Sequence, residues 1–503
     1  MTIISTEPQP EPEPEPESEP KSEPERESKS ESEHSTSPPP DRSCILFQTD
    51  NVTLIDIPRS ISHAQGTTTS PFRHSLISCP PLTSPFQSNE PKSAAAKARL
   101  QTRMANEHDE LYATCISNAL SVIRNGYQGE WCLPRSAILP TVNIGTKRKA
   151  SDMDDSVRQS EPLRPSASID PRQEHGATKP DTSFLSGDLL QYLATDDPTN
   201  SAQYTLQWRD IDGHVSDTTT FTANDPHRDG TSWHHHLSNC TDKQRMLDIS
   251  SGNGQTMTFF FPPRASMYLA DCASSTPFHL AVRDDARMEN SPVHFEFIIM
   301  DPPWPNASVT RARDKSKSGY QTASSMWDVR QLIFETDLNV MLAPGGFMAI
   351  WITNKSAVRD LVLGEDGLFD SWGIELVEEW LWIKTTNSGQ PVTALDALWR
   401  KPYEVCLLGR KPTSKHDSVG EPQEVTRRVI VAVPDLHSRK PCLKEVIEPL
   451  MSNRASYRAL EVFARVLVAG WWSWGNEVLK FNNEHCWSDS NIHRHNNTSA
   501  AQS

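Results

Sequence analysis

Residues 297–306 read FIIMDPPWPN, so an apolar run ends at Asp301 and is followed by Pro302, Pro303 and Trp304. Two consecutive prolines fix two φ angles and remove two N–H donors, which makes the turn stiff and leaves carbonyl acceptors. A planar ring amine is a weak nucleophile because its lone pair is shared with the ring. The Asp301 carboxylate and the Pro302 carbonyl would hold the amine hydrogens and stabilise the positive charge that develops during attack. Trp304 would supply a flat wall for the ring.

The same four residues are also compatible with an ordinary turn that ends a strand, so neighbouring segments must decide. From residue 257 onward, short runs rich in β-branched and aromatic residues predict strands, and helical patterns separate several of them. This alternation predicts an α/β fold with a mostly parallel sheet covered on both faces. Such sheets bind ligands at the carboxyl ends of their strands. The predicted strand FEFIIM ends at Met300, directly before Asp301, which places the turn at a site.

Two long helical patterns accompany the predicted strands. Residues 92–131 predict one helix that begins at Ser93 and ends at Gly126, and residues 324–346 predict another that ends at Gly345 and Gly346. The positions expected on the buried face of the first helix are Leu111, Ile116, Leu120 and Ile123. The positions expected on the buried face of the second are Trp327, Leu332, Ile333, Leu338 and Leu342.

Composition divides the 503-residue chain into packed and unpacked parts. The net charge is -16, and residues 1–40 contain eleven Glu against three Lys or Arg, so half of the excess negative charge lies in this segment. A repeat of Glu-Pro and Ser-Glu has too little apolar surface to offset the entropy of ordering. The remainder of the chain is closer to neutral, which is compatible with a nucleic-acid partner.

The predicted organisation has six parts. Short apolar pieces within residues 43–92 are interpreted as one or two strands docked on a later domain. The parts are a disordered Glu/Pro-rich tail (1–42), an N-terminal region with a long helix (43–142), a polar linker (143–182), a small accessory region (183–256), a catalytic domain (257–487) and a disordered tail (488–503).

Several protein classes are disfavoured. No stretch of 18 apolar residues occurs and the N-terminus MTIISTEPQP lacks a basic start, so we expect no membrane span, no signal peptide and an intracellular protein. Nine cysteines without a CxxC pair favour reduced thiols over a disulfide framework or a zinc ribbon. The three histidines of SWHHHLSNC, residues 232–240, are interpreted as part of a surface loop, because adjacent side chains diverge. No metal site is predicted.

The context of the Asp-Pro-Pro-Trp turn resembles a known family. Its members are the adenine-N6 methyltransferases of the DPPW type, which include the catalytic subunit of the messenger-RNA adenosine methyltransferase complex, and the resemblance is greatest to the methyltransferase-like-four branch. It extends from about residue 259 to 481, somewhat under half of the chain. The matching segments are FFPPRASMYLADC, FIIMDPPWPNASV, WITN, EEWLWIKTTNSG, KPYEVCLLGR, LHSRKP and YRALEVFARVLVAGWWSWGNEVLKF.

The resemblance implies a Rossmann-like fold that uses S-adenosylmethionine, with Asp301, Pro302, Pro303 and Trp304 as the catalytic motif around the adenine. The residues that would bind the cofactor by similarity are Asp271, Cys272, Lys440, Glu461, Arg465, Asn476 and Glu477. Those that would face the substrate are Tyr320, Asn354, Lys401 and Glu404. This sequence departs from the family pattern at Pro305 and in TRARDKSKSGY.

The basic residues of TRARDKSKSGY have two readings. Arg311 and Arg313, with Lys315 and Lys317, would form a phosphate clamp for a nucleic-acid strand, or would belong to a solvated mobile loop. A second basic cluster, residues 147–149, is either a nuclear import signal or a charged part of a linker.

We therefore expect methyl transfer to the N6 amine of adenine in nucleic acid. RNA is favoured, with 2′-O-methyladenosine in small nuclear RNA as the target that the resembled branch implies. The alternatives are a DNA N6-adenine methyltransferase and a catalytically silent nucleic-acid-binding subunit. A protein amine or small-molecule methyltransferase is disfavoured by the matching segments. We expect a nuclear and in part cytoplasmic location, and a protein partner is compatible with the N-terminal region.

Overall fold

In the computed structural model the described residues are 43–87, 93–95, 98, 108–137, 203–222, 235–251, 256–273, 275–305, 325–397, 401–413, 424–436, 439–454 and 456–489. They belong to a compact unit that starts at Ser43. The predicted tail 1–42 and linker 143–182 lie outside them. Of the predicted tail 488–503, only residues 488 and 489 are described.

The described secondary structure comprises eighteen strands and eight α-helices. The strands are β1 Ile45–Gln48, β2 Val52–Ile55, β3 His74–Ser78, β4 Ser136–Ala137, β5 Gln203–Asp210, β6 Val215–Thr222, β7 His235–Ser238, β8 Arg245–Ser251, β9 Thr256–Phe261, β10 Ser266–Leu269, β11 Phe295–Met300, β12 Leu342–Ile352, β13 Glu375–Lys384, β14 Tyr403–Arg410, β15 Thr426–Ala432, β16 Ala459–Val462, β17 Trp471–Trp474 and β18 Trp487–Asp489. The helices are α1 Ile57–His63, α2 Asp109–Gly126, α3 Ser275–Met288, α4 Met326–Glu335, α5 Leu338–Met341, α6 Ser356–Leu363, α7 Leu368–Trp372 and α8 Lys444–Ile447. Short 3₁₀ turns cover Glu448–Leu450 and Glu484–Cys486.

An eleven-stranded sheet organises these elements, in the order β1-β2-β15-β13-β14-β12-β11-β16-β17-β10-β7. Its pairs are parallel from β2 through β15 to β13 and again from β12 through β11, β16 and β17 to β10. The two outer pairs and both pairs of β14 are antiparallel. The α/β fold with a mostly parallel, Rossmann-like sheet is thus confirmed.

The reversed strand β14 matters for the site. It runs antiparallel to both β12 and β13, so Trp382 near the end of β13 pairs with Glu404 near the start of β14. Ile352, the last residue of β12, pairs with Val405. The beginning of β14 therefore lies at the same sheet edge as the carboxyl ends of β12 and β13.

Both faces of the sheet are covered, as expected for buried parallel strands. Successive residues of β11 contribute to different hydrophobic clusters: Ile298 and Met300 pack with helices α2, α3, α4, α6 and α7. Phe297 and Ile299 pack with α1 and α8. Because neighbouring side chains of a strand point to opposite faces, these two clusters are the cores on the two sides of the sheet.

The N-terminal region is built into this sheet. Strands β1 and β2 extend it next to β15, as the interpretation of residues 43–92 predicted. Helix α2 packs on one face, where Tyr112 donates to the buried carboxylate of Glu379 on β13 at 2.9 Å. On the other face, Arg439 pairs with Asp435 at 2.6 Å and also donates to the carbonyl of Ile77 in β3. The described elements within residues 43–87 and 108–137 thus share hydrophobic cores with the predicted catalytic domain.

Residues from the predicted accessory region divide between two sheets. Strands β6, β5, β8 and β9 form an antiparallel four-stranded sheet, while β7 pairs with β10 at the edge of the large sheet. A three-stranded sheet, β18-β3-β4, joins both ends of the described chain. The prediction that the histidines at 234–236 lie in a loop is wrong for His235 and His236, which belong to β7, and His236 stacks on Trp472 at 4.6 Å. His234 lies outside the described residues.

Both long helical predictions need correction. In residues 324–346 the helix ends at Glu335, because Asp337 adopts the left-handed conformation with φ 51°, and Gly345 and Gly346 belong to β12. Trp327, expected to be buried, is 68% exposed, and Val329 packs inside instead. For the first helix, residues 94, 95 and 98 are helical as predicted, and α2 covers Asp109–Gly126 with the predicted end at Gly126. Residues 96–97 and 99–107, which the prediction included, lie outside the described part.

Three of the four positions predicted for the buried face of α2 are buried: Ile116, Leu120 and Ile123. The fourth is wrong, because Leu111 is 40% exposed and Tyr112 is buried instead. Within the described residues no helix is long and apolar enough to cross a membrane, and no group of three or more His, Cys, Asp or Glu has the arrangement of a metal site.

Candidate active site

The central strands place the predicted site residues along one edge of the sheet. Asp301 directly follows β11, and Glu461 lies on the neighbouring β16, where it is paired in register with Ile299. On one side of this pair, Asn354 follows β12 and Glu404 begins β14. On the other side, Asn476 and Glu477 follow β17, and Asp271 and Cys272 follow β10. Because the parallel strands β10, β17, β16, β11 and β12 end at this edge and the reversed strand β14 begins there, six separate chain segments lie where ligands of α/β sheets bind.

The Asp-Pro-Pro-Trp turn is anchored through its tryptophan. The indole Nε1 of Trp304 donates to the carbonyl of Trp351 on β12 at 2.8 Å, and the Trp304 amide donates to the Pro302 carbonyl at 2.8 Å. The Pro302 oxygen keeps a second lone pair that can accept from a ligand. Trp304 is only 7% exposed, so the structure assigns it an anchoring contact, and its function as a wall for a base stays a prediction.

Four side chains of alternating charge extend from Asp301 along this edge. Lys440 Nζ lies 3.4 Å from Asp301 Oδ2 and 2.5 Å from Glu404 Oε2. The other oxygen of Glu404 lies 2.5 Å from Lys384 Nζ. We call this group the charge chain: Asp301, Lys440, Glu404 and Lys384.

Two buried tryptophans line the charge chain. The ammonium of Lys440 lies 4.9 Å from the ring centroid of Trp351 and 5.9 Å from that of Trp382, and Lys384 lies 4.7 Å from the Trp382 ring. Both rings are 3% exposed. Ring faces attract cations and exclude water, so they confine both ammonium groups beside Glu404.

The environment shifts the pKa values of the chain in different directions. Surrounding protein raises the pKa of the Asp301 carboxyl, and Lys440 only partly opposes this rise. The Asp301 side chain nevertheless remains 41% exposed, so the group is both crowded and open to a ligand. Burial would raise the pKa of Glu404, but Lys440 and Lys384 lower it below the ordinary range. Burial would lower the pKa of Lys440, but Asp301 and Glu404 together raise it.

The side of the edge that is predicted to bind the cofactor carries the carboxyl groups of Asp271, Glu461 and Glu477, with Arg465 and Lys480 beside Glu477. Arg465 Nε lies 3.1 Å from Glu477 Oε2, and Lys480 Nζ lies 2.7 Å from Glu477 Oε1. Burial, with a smaller contribution from Asp301, raises the pKa of Glu461 to about 8, and Arg465 opposes this rise. Asp271 is exposed and accepts from the amide of Ala273 at 3.0 Å.

Cys272 differs from its predicted neighbours because its side chain is buried. It is 3% exposed, and burial raises the pKa of its thiol well above the ordinary value. A neutral, buried thiol packs at the base of this side of the edge, so its contribution to cofactor binding stays a prediction.

These residues fit the demands of S-adenosylmethionine. Ribose hydroxyls and an amino group need acceptors, which Asp271, Glu461 and Glu477 supply, while a carboxylate needs a cation such as Arg465. The hydroxyl of Ser473 on β17 is buried without a protein partner, and Ser473 pairs with Glu461 across the sheet. Gly475 brings the segments after β16 and β17 together, since a Cβ there would meet the Ala464 carbonyl at 2.9 Å.

The predicted substrate-side residues are only partly described. Asn354 donates to the Tyr403 carbonyl at 2.6 Å, which fixes the start of β14 next to Glu404. Lys401 lies 3.0 Å from Asp109 at the beginning of α2, so it already has an ionic partner within the fold. Tyr320, Arg311 and Arg313 lie outside the described residues, together with Lys315 and Lys317.

Sequence reasoning missed Lys384, Trp351 and Trp382. All three lie in segments that carried the family resemblance: Lys384 and Trp382 occur in WLWIK, and Trp351 is the first residue of WITN. Alternation within WLWIK could have placed Trp382 and Lys384 on one face of a strand. What the linear sequence does not show is the reversal of β14, which brings Glu404 beside Lys384.

Comparison with known proteins identifies the central region. Residues 295–477 match the MT-A70 family. The chain is 43% identical over 230 residues to the "N6-methyladenosine RNA methyltransferase MTA1" of Cryphonectria parasitica, covering 46% of this chain and 63% of that protein. It is 34% identical over 229 residues to the mouse "N(6)-adenine-specific methyltransferase METTL4", covering 44% of each.

A third relative is named for a different nucleic acid. The "DNA N6-methyl methyltransferase" of Caenorhabditis elegans is 28% identical over 246 residues, covering 48% of this chain and 58% of that protein. The chain thus spans less than two thirds of the length of each of these relatives. The family resemblance of the Asp-Pro-Pro-Trp segments is confirmed: residues 295–477 match the MT-A70 family, and the chain is similar to the MTA1 and METTL4 proteins over 230 and 229 residues.

Proposed function

We propose that this protein transfers a methyl group from S-adenosylmethionine to the N6 amine of adenine in nucleic acid. One observation carries the proposal: the Asp301 carboxylate is held by Lys440 at 3.4 Å, yet its side chain remains 41% exposed between the two halves of the site. An acceptor at this place is suited to an amine whose nitrogen becomes tetrahedral and positively charged. The similarity to proteins named as N6-adenine methyltransferases supports the same reaction.

The bound cofactor would supply an electrophilic methyl group, and the protein residues have to position the amine and manage charge. Asp301 and the Pro302 carbonyl accept hydrogen bonds from the two amine hydrogens, which directs the nitrogen lone pair away from them. As the nitrogen gains charge, the Asp301 carboxylate stabilises it, and one amine proton leaves toward this acceptor or water. Lys440 remains protonated between two carboxylates, so it maintains Asp301 in the ionised form.

We favour RNA as the substrate, and 2′-O-methyladenosine in small nuclear RNA as the specific target. Two of the three relatives described above bear on this choice: MTA1 is named as an RNA enzyme, while the nematode relative is named as a DNA enzyme. Tyr320 and the basic residues at 311, 313, 315 and 317 are the proposed contacts to the nucleotide and its phosphates. A DNA substrate is the alternative that the nematode relative favours.

The experiment is methyl transfer from labelled S-adenosylmethionine by the full chain, read by nucleoside mass spectrometry. Matched oligonucleotides of DNA, RNA and RNA with 2′-O-methyladenosine are compared, with Asp301→Ala as the negative control. Label on the adenine amine supports the proposal, and the preferred oligonucleotide identifies the substrate class. Cofactor binding without label on any oligonucleotide would favour a silent nucleic-acid-binding subunit.

The remaining proposals concern partners and location. We propose a nuclear and in part cytoplasmic location, which rests on the nuclear nature of the favoured RNA and on the basic cluster at residues 147–149, outside the described residues. A protein partner is proposed to contact the N-terminal region. Expression of the full chain with a fluorescent tag, with and without residues 147–149 changed to Ala, tests the location directly.

A further inference from the structure

Lys384 occupies the outer end of the charge chain. Its backbone is fixed from two sides, since the Lys384 amide donates to Pro402 at 2.8 Å and its carbonyl accepts from Val392 at 3.0 Å. Its ammonium contacts the Trp382 ring and lies 2.5 Å from Glu404. Its side chain is 29% exposed, so it forms the boundary between the buried charges and solvent.

Each of the two inner residues of the charge chain contacts two groups of opposite charge. Glu404 divides its two oxygens between Lys384 and Lys440, and Lys440 divides its ammonium between Glu404 and Asp301. If Lys384 lost its charge, Glu404 would be left with Lys440 alone, and Lys440 would be drawn toward Glu404. The contact between Lys440 and Asp301 would then weaken. Among the described residues, Lys440 is the only ion-pair partner of Asp301 within 4.0 Å.

We infer that Lys384 is a positioning residue that keeps Asp301 ionised by holding Glu404, and thereby leaves Lys440 available to the catalytic carboxylate. The inference rests on the proposed function, because it assigns Lys384 to the electrostatics of that reaction. Lys384 is not proposed to touch the adenine or the cofactor. Its influence is transmitted through two charged side chains that are each less than one third exposed.

Other charged groups face Asp301 and must be included in the prediction. Glu404 favours its protonated form, while Lys440 and Arg465 favour its ionised form. Glu461 and Cys406 lie nearby as protonated, neutral groups, because burial raises the pKa of both. Loss of the Lys384 charge shifts the protonation equilibrium of Asp301 toward the protonated form. It removes a cation from the region and weakens the contact between Lys440 and Asp301, and both changes disfavour the ionised carboxylate.

The test compares the pH dependence of single-turnover methyl transfer in the full-length wild type, Lys384→Met and Lys384→Arg. The acidic limb is the part of the pH profile in which the rate falls as Asp301 becomes protonated. In Lys384→Met we expect the midpoint of this limb to move to a higher pH by about one unit, which is the pKa shift that a nearby unit charge causes in a partly buried site. Lys384→Arg should restore the wild-type limb, since it retains the charge. Dissociation constants for S-adenosylmethionine should remain within about twofold in all three proteins.

Two further variants separate this effect from other losses. Lys384→Gln keeps a hydrogen-bond donor but no charge, and it should show the same shift if Lys384→Met does not fold. Lys411→Met removes a lysine at the opposite end of β14, where its ammonium donates to the carbonyls of Asn339 and Leu342, and it should leave the limb unchanged.

The outcomes are distinguishable. An absence of methyl transfer by the wild type contradicts the proposed function and does not concern Lys384 specifically. Transfer by the wild type with the same acidic limb in Lys384→Met overturns the inference. A raised KM for the oligonucleotide with an unmoved limb also overturns it, and would assign Lys384 to the substrate. An equal shift in Lys411→Met would show a general effect of charge and not a positioning effect.

Discussion

The ammonium of Lys440 lies 3.4 Å from the carboxylate of Asp301, and this ion pair stands at the junction of the two halves of the site. On one side lie Glu404 and Lys384, and on the other lie Glu461 and Arg465. An ionised acceptor is useful to an amine methyltransferase only if it stays ionised where protein crowds it. Lys440 helps to keep Asp301 ionised. Burial raises the pKa of Asp301, and the positive charge of Lys440 offsets part of that rise.

The first prediction concerns the acid itself. Asp301→Asn and Asp301→Ala should each lower the rate of methyl transfer by at least about 100-fold, the effect of removing one preorganised group that stabilises developing charge. Cofactor affinity should change little, since the carboxylate is assigned to the amine. Isothermal titration with S-adenosylmethionine and single-turnover assays measure the two quantities separately. Parallel loss of both would instead assign Asp301 to the cofactor or to the fold.

The second prediction is the complement of the first. Asn476 follows β17 on the side of the edge assigned to the cofactor, so Asn476→Ala should weaken cofactor binding. Loss of one hydrogen bond to a ligand corresponds to an affinity reduction of about tenfold. The rate at saturating cofactor should remain close to that of the wild type. An unchanged dissociation constant together with a reduced saturating rate would contradict the assignment.

Much of the catalytic half of this arrangement could be predicted from sequence. The apolar strand before Asp301 predicted its position at a sheet edge, whereas Glu461 and Asn476 were assigned to the site through the family resemblance alone. The prediction for Asp301 succeeds because parallel strands connected by helices end on one side. Lys384 was missed because its importance depends on β14, whose reversed direction is determined by tertiary pairing and not by local pattern.

The helix predictions failed for a different physical reason. Apolar periodicity continues from Met326 to Leu342, but it does not reveal that Asp337 adopts the left-handed conformation and interrupts the helix. The same pattern therefore includes a helix, a short second helix and the start of a buried strand. In α2 the face was predicted correctly at Ile116, Leu120 and Ile123, and only its first position was wrong: Tyr112, which donates to the buried Glu379 on β13, is buried in place of Leu111.

The third prediction is the pH dependence of the reaction. Because burial raises the pKa of Asp301, the rate should fall with decreasing pH at values above the ordinary Asp pKa of about 4. The ionised carboxylate is the active form, so activity is retained on the alkaline side of this limb. Single-turnover rates between pH 4.5 and 8, with stability monitored by circular dichroism, measure it. A rate that does not fall anywhere in this range would show that Lys440 overcomes the effect of burial.

The fourth prediction concerns stability in the absence of cofactor. The pKa of Glu461 is raised to about 8 from an ordinary value near 4.5, so the folded chain binds an additional proton between these values. Its contribution to the free energy of unfolding is complete below about pH 4.5 and is lost as pH rises through 8. The slope is at most about 1.4 kcal/mol per pH unit. Urea unfolding of the wild type and Glu461→Gln at pH 5 to 8 measures it, and parallel curves would contradict the assignment.

The fifth prediction tests how the N-terminal region is attached. Asp435 is fully buried, accepts from Arg439 at 2.6 Å and from the Cys79 amide at 3.2 Å, and faces Arg135 at 3.9 Å. Asp435→Asn leaves two guanidinium groups without their buried carboxylate, which should lower the free energy of unfolding by about 3–5 kcal/mol.

An exposed pair provides the control for this measurement. Asp284 and Arg287 form a surface ion pair on α3 at 3.2 Å, with side chains 64% and 79% exposed. Asp284→Asn should change the free energy of unfolding by less than about 1 kcal/mol, because solvent screens such pairs. Equal effects of the two substitutions in urea unfolding would show that the buried cluster does not anchor residues 43–137.

The last prediction concerns the close approach of the segments after β16 and β17. At Gly475 an added Cβ would lie 2.9 Å from the Ala464 carbonyl and 3.0 Å from the Ala464 amide, and neither backbone atom can move aside without shifting Arg465. Gly475→Ala should therefore displace Asn476 and Glu477 from Arg465. A misfit of this size typically costs about 1–3 kcal/mol, so cofactor affinity should fall about 10-fold to 100-fold.

Gly373→Ala is the control, since its Cβ would meet no atom within 4 Å, although its φ of 62° makes that variant less stable too. If both variants unfold earlier but only Gly475→Ala loses affinity for S-adenosylmethionine, the contact between these two segments shapes the cofactor site; equal retention of affinity would show that it does not.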